Sequence, residues 1–199
     1  DRRHPRQLVV PLLLVLDRAG PRALQHERRL ARVRQAAHER AVGVGSRDGA
    51  EQQEAHGLER ARGHGLRVAQ AEERDGLLRV SPDGRQCACD AGKAWAGGRA
   101  DAGVLGGAYC FEVQQTTAGL LRLGWSTLNA KLALGTCPHG FGFGGTGKKS
   151  NKGQFDSYGE EFGEGDVIGC VLDRAASSIS YYKNGIALGA AFALPKALD

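Results

Sequence analysis

The residues best suited to chemistry sit in one glycine-rich block, GFGFGGTGKKSNKGQFDSYGEEF, from Gly140 to Phe162. Within it, Gly142 to Lys148 spells G-x-x-x-x-G-K, the opening of a phosphate-cradling P-loop. Such a loop needs Ser or Thr directly after the lysine to hold Mg²⁺, a strand before it and a helix after it. Lys149 takes the Mg²⁺-holding position instead, Ser150 comes one residue late, and NKGQFDSYG would break a helix. The spacing G-x-G-x-x-G also occurs twice, at Gly140/Gly142/Gly145 and Gly142/Gly144/Gly147. It lacks the strand–helix–strand context that gives that pattern meaning. The block reads better as glycines that let a long loop or bulged strand turn beside Phe141 and Phe143.

Lys148, Lys149 and Lys152 put three ammonium groups on that predicted loop. On a backbone rich in free N–H groups they could grip a phosphate or an acidic partner segment. The plainer reading is a solvated turn whose charge Asp156, Glu160 and Glu161 compensate. Cys87-x-Cys89 and Cys137-Pro-His139 resemble metal-binding fragments, but neither has the C-x₂₋₄-C spacing of a structural zinc site. In a strand, Cys87 and Cys89 would share one face, as small core residues do. No Ser-His-Asp set, carboxylate pair or DEAD-type acidic motif stands out. The sequence therefore assigns no catalytic residue, no cofactor, no metal and no small-molecule substrate.

The elements that must position these residues are short strands. In YCFEV, Tyr109, Phe111 and Val113 share one face while Cys110 and Glu112 share the other. In LLRLGWS, Leu121, Leu123 and Trp125 alternate with Arg122 and Gly124. GDVIGCVLD is a mostly apolar strand, and SISYYKNGIAL carries Asn184-Gly185, a type I′ hairpin signal because both residues tolerate positive φ. Glycine separates strands of roughly ten-residue spacing, which indicates an antiparallel sandwich or barrel. Trp125, Phe111, Tyr181 and Phe192 are the expected core.

The front of the chain is different. All twelve aromatics lie at or after Trp95, whereas residues 1–75 hold no aromatic, Cys, Ile, Lys, Asn or Thr. They carry 15 Arg against 11 acidic residues, a net of +4 of the chain's +5. Ala23 to Val42 favours helix by propensity, but its apolar positions are mostly Ala and offer little to bury. Residues 43–75 are polar, glycine-broken and without period. The segment reads as a low-complexity Arg/Ala/Gly-rich arm, disordered or partly helical, or as a GC-rich stretch read out of frame. Its interspersed acids blunt any nucleic-acid binding by the arm. Leu8 to Leu16, the one strongly apolar run, is nine residues long and holds Pro11. It is too short for the roughly 20 residues that span a bilayer, so no membrane partner is expected. No small-x-small cleavage site follows it as a secretory signal requires. The chain has no Met, which suggests a fragment or processed form. Five Cys, an odd number without framework spacing, fit a reduced intracellular compartment.

The back part of the chain resembles the SPRY (B30.2-like) family. The resemblance is carried by GVLGGAYCFEV, LLRLGWST, the GFGFGG block, GDVIGCVLD and ISYYKNGIALGAAF. More narrowly, LGWSTLNAKLALGT followed by GTGKKS…QFDSYGEEF is similar to the SPRY domain inserted in a subfamily of DEAD-box ATP-dependent RNA helicases. The likeness begins near Gly76, takes in VSPDGRQC and Trp95, and runs to about Pro195. It implies an all-β, two-layer antiparallel β-sandwich over residues 76–199, stopping at PKALD before the strand or strands that normally close such a domain. It further implies a non-catalytic module that binds a protein partner through surface loops, in the nucleus or cytoplasm. Lys148, Lys149, Lys152 and Tyr158 are the candidate partner-binding residues. The alternatives are a piece of an ATP-dependent RNA helicase whose catalytic motifs lie outside this chain, and RNA binding through the basic loop or the Arg-rich arm.

Overall fold

The computed structural model describes residues 75–89, 95–101, 103–104 and 107–195, with the backbone of two strands further forward. Among the described residues all regular structure is strand, arranged as two antiparallel sheets. The first contains β1 (Val9–Leu16), β5 (Ala96–Arg99), β7 (Leu120–Thr127), β8 (Gly140–Gly144), β9 (Lys148–Asn151) and β10 (Gln154–Ser157), in the order β10-β9-β8-β7-β1-β5. The second contains β2 (Ala31–Arg34), β3 (Leu78–Val80), β4 (Gln86–Cys89), β6 (Ala108–Gln114), β11 (Val167–Asp173), β12 (Ser178–Lys183) and β13 (Ile186–Ala193), in the order β13-β12-β11-β6-β2-β4-β3. The all-β sandwich expected of the back part is what forms.

Two strands come from the segment read as an arm. β1 lies between β5 and β7, and β2 between β4 and β6. β2 falls inside the stretch that favours helix by propensity, a preference that pairing on both edges readily overrides. The rest of residues 1–74, including most of the Ala23–Val42 stretch and the glycine-broken run after it, lies outside the described residues.

Period-two patterning makes the core. Phe111 and Val113 of β6 turn inward while Cys110 is exposed and Glu112 half-buried. Leu121, Leu123 and Trp125 of β7 meet them from the other sheet, and Trp125 sits edge-on to Phe111 with ring centroids 5.2 Å apart. Cys87 and Cys89 share the inward face of β4. Tyr181 is fully buried against Phe143 and spends its hydroxyl on the Phe141 carbonyl at 3.1 Å. Burial of each such large side chain contributes roughly 1.5–3 kcal/mol. Phe192 departs from its expected place: it is half-buried at the margin, edge-on to Phe141. The Asn184-Gly185 hairpin forms as read, with φ of 51° and 82°.

The first sheet is covered on its outer side as well. The segment between β7 and β8 folds back over it and plants Leu134 in a second small apolar cluster with Trp95 and Leu132. This cap approaches so closely that a Cβ on Gly97 would lie 2.6 Å from the Leu132 carbonyl oxygen. At Gly142 a Cβ would meet Leu134, Arg122 and Ser150, each at 3.0 Å. Gly140 and Gly142 of β8 are therefore there for space under the cap.

Candidate functional site

The glycine block runs strand, turn, strand. β8 ends at Gly144, residues 145–147 turn, and Lys148 opens β9, so the lysine of the G-x-x-x-x-G-K pattern starts a strand where a P-loop would start a helix. β9 and β10 form a hairpin that pairs Lys149 with Asp156 and Lys148 with Ser157. Its two-residue tip is Lys152-Gly153, at φ of 54° and 76°. This is the geometry of a type I′ turn. Lysine has none of the tolerance for positive φ that Gly and Asn have, and the sequence reading missed the turn for that reason.

The tip is tied to the cap. The Lys152 N–H donates to the Cys137 carbonyl at 3.2 Å, and the Gly153 N–H to the Gly135 carbonyl at 2.9 Å. The Asn151 amide reaches the Gly140 carbonyl at 2.8 Å, with the Pro138 and Cys137 carbonyls farther off. Cys137 is buried and His139 half-buried in this junction, where their backbone carbonyls do the bonding.

The four candidate contact residues divide into two pairs. Lys148 and Lys152 are exposed. Lys149 is turned inward: its ammonium donates to the Ala191 carbonyl at 2.8 Å and lies over the rings of Tyr158 and Phe192. Tyr158 is half-buried, edge-on to Phe143, and its hydroxyl donates to the Gly189 carbonyl. Burial, before any other influence, holds the Tyr158 hydroxyl above the ordinary tyrosine range.

Of the acids expected to offset the lysines, Asp156 stands across the hairpin from Lys149, while Glu160 turns to Lys183. Glu160 and Asp166 approach Lys183 at 3.6 and 3.9 Å. Among the described residues no ion pair reaches Lys148 or Lys152. From Val113 to Phe155 the chain holds five Lys and Arg and no Asp or Glu, whereas Asp156 to Asp173 holds six acids and no Lys or Arg. The basic run makes the hairpin, its neighbouring strands and the cap. That asymmetry could have been counted from sequence.

Sequence reasoning also missed a stacked cluster beside the hairpin. The Arg122 guanidinium sits between the rings of Trp95 and Phe155, 5.1 and 4.9 Å from their centroids, and donates to the Leu134 carbonyl at 3.0 Å. Phe155 is 45% exposed, so the hairpin that carries Lys148 and Lys152 also presents apolar surface. No local signal joins residues 95, 122 and 155; only strand order does. Burial pushes the Cys87 thiol up to about 12, which takes it out of use as a nucleophile.

Comparison with known proteins agrees with this architecture. Residues 108–198 match the SPRY domain family model. The chain is 56% identical over 124 residues to "ATP-dependent RNA helicase Ddx1" of Drosophila melanogaster, covering 62% of this chain and 17% of that protein. It is 50% identical over 123 residues to "ATP-dependent RNA helicase DDX1" of Xenopus laevis, with the same coverage of both. It is 39% identical over 114 residues to "Heterogeneous nuclear ribonucleoprotein U-like protein 2" of Homo sapiens, covering 51% of this chain and 15% of that protein. The chain thus spans about a sixth of the length of the helicases it matches. SPRY domains are non-catalytic and mediate protein interactions. Residues 108–198 of this chain are a SPRY domain.

Proposed function

We propose that this module docks a partner protein on the outer face of the β9–β10 hairpin, and that the partner presents an acidic segment to Lys148 and Lys152. One observation carries the reading: these two ammonium groups are exposed, without an ion pair among the described residues, inside a stretch of 43 residues that has no carboxylate. Cations with no ion pair among the described residues, on one hairpin with a half-exposed Phe155, supply charge selection at the rim and apolar contact at the centre of a small interface. The test is affinity capture with the wild-type chain and with Lys148→Glu/Lys152→Glu. Partners should be lost from the double variant, and a partner set held equally by both proteins refutes the assignment.

A second reading concerns the whole protein. Identity of 50–56% to helicases over this region supports a parent that is an ATP-dependent RNA helicase, acting in the nucleus or cytoplasm, with its chemistry outside this chain. In-frame P-loop, DEAD and SAT motifs in the adjoining coding sequence would support it, and their absence there would overturn it. If the basic face instead meets RNA directly, affinity for a single-stranded RNA must fall steeply between about 50 and 200 mM salt.

A further inference from the structure

Among the described residues the two sheets end in four strand edges: β10 and β5 on the first, β13 and β3 on the second. An unpaired edge is a template for another chain, and proteins blunt such edges with short strands, charges, prolines or a covering segment. β3 has three residues and an exposed Arg79. β10 has four residues and carries Asp156. β5 has four, and the N–H and carbonyl of its Gly97 are both taken by Asp75, at 2.6 and 2.8 Å. β13 is the exception, since its eight residues, IALGAAFA, include no charge and no proline.

The protection β13 lacks in its own sequence arrives from the other sheet. Tyr158 donates its hydroxyl to the Gly189 carbonyl, and Lys149 donates its ammonium to the Ala191 carbonyl at 2.8 Å. These two carbonyls flank Ala190, the residue that pairs with Ser180 of β12 between two slips of register. Lys149 is held there by the rings of Tyr158 and Phe192, 5.9 and 5.6 Å from its nitrogen. The strand is bulged at the same place: β13 slips register against β12 around Gly189, whose φ is 87°. Bulging is itself a device that turns an edge away from pairing.

We propose that Lys149 and Tyr158 form an edge guard, occupying carbonyls of β13 that would otherwise pair with β13 of a second copy of this chain. Self-pairing is the fitting occupant because an eight-residue uncharged strand meets its own copy without any opposing or repelling charge. This role is independent of docking at Lys148 and Lys152, and it removes Lys149 and Tyr158 from the list of partner contacts.

The experiment uses the whole 199-residue chain, with self-association followed by sedimentation from micromolar to submillimolar concentration. Lys149→Met/Tyr158→Phe keeps both hydrophobic bodies and deletes both donors. The double variant should self-associate at least about tenfold more tightly than the parent, a change worth ~1.4 kcal/mol. Adding Ala190→Lys, which places a charge on the edge strand, should return it to monomer. A double variant as monomeric as the parent overturns the guard. So does self-association that Ala190→Lys leaves intact, or a parent chain already dimeric and dissociated by Ala190→Lys alone. If the double variant has lost its cooperative melt, the same criteria are applied to Tyr158→Phe, which deletes a single oxygen; an unchanged monomer there overturns the proposal.

Discussion

The two sheets are built on opposite principles. In the second, side chains alternate: β6 and β12 turn large residues inward and leave polar or half-exposed ones outside. In the first, every residue of β8 is buried, as are the last five of β7, because the cap covers the outer face that would otherwise be solvated. The second sheet is held by the volume of its inward residues, the first by how little its glycines occupy. A sheet with both faces covered loses its polar alternation and gains intolerance to any added atom.

Removing volume from the shared core should have the largest effect. Trp125→Ala is expected to cost about 3–5 kcal/mol in chemical denaturation, since the indole is 2% exposed and packs on Phe111. An unchanged midpoint would mean that the ring is not in the core. Next comes a matched pair of additions. Gly97→Ala sets a methyl group against the Leu132 carbonyl and should cost about 1–3 kcal/mol by lifting the cap. Gly169→Ala on β11 meets nothing closer than Tyr182 Cβ at 3.4 Å and should stay within about 0.5 kcal/mol. Equal melts for these two variants would abolish the distinction between the sheets.

The smallest effect is electrostatic. A side-chain bond from Asn184, then the Gly163 N–H and the Lys183 charge, hold the Asp166 carboxyl below its ordinary 3.8. A carboxyl depressed in the folded state stabilises above its unfolded pKa, and that stability is lost as pH falls through the lower folded value. Acid titration of unfolding should therefore show a shallower loss below pH ~4 for Asn184→Ala than for the parent, by a modest margin because the group is near the surface. Identical acid limbs would show that this corner adds nothing.

The same contrast explains what could be read from the chain. YCFEV, LLRLGWS and SISYYKNGIAL announced their strands because at least one face alternates and Asn184-Gly185 names its own turn. Gly142 to Lys148 has the spacing of a phosphate loop because glycine serves equally where a ligand approaches and where another part of the protein does; Lys149 in the Mg²⁺-holding position and the helix-breaking NKGQFDSYG spoke against the ligand. The lysine triplet was visible, but its division was not. Whether a lysine faces solvent or a carbonyl 42 residues away depends on how two sheets meet, and no local pattern carries that.

The Trp95–Arg122–Phe155 stack gives the protein a built-in optical label. The chain's two indoles report on different layers: Trp125 from inside the sandwich, Trp95 from the seam where the cap is fastened. A guanidinium resting on Trp95 is also hydrogen-bonded to the cap, so any event that loosens the cap must change the environment of that one fluorophore. Docking near Phe155 can thus be followed by emission without attaching a dye.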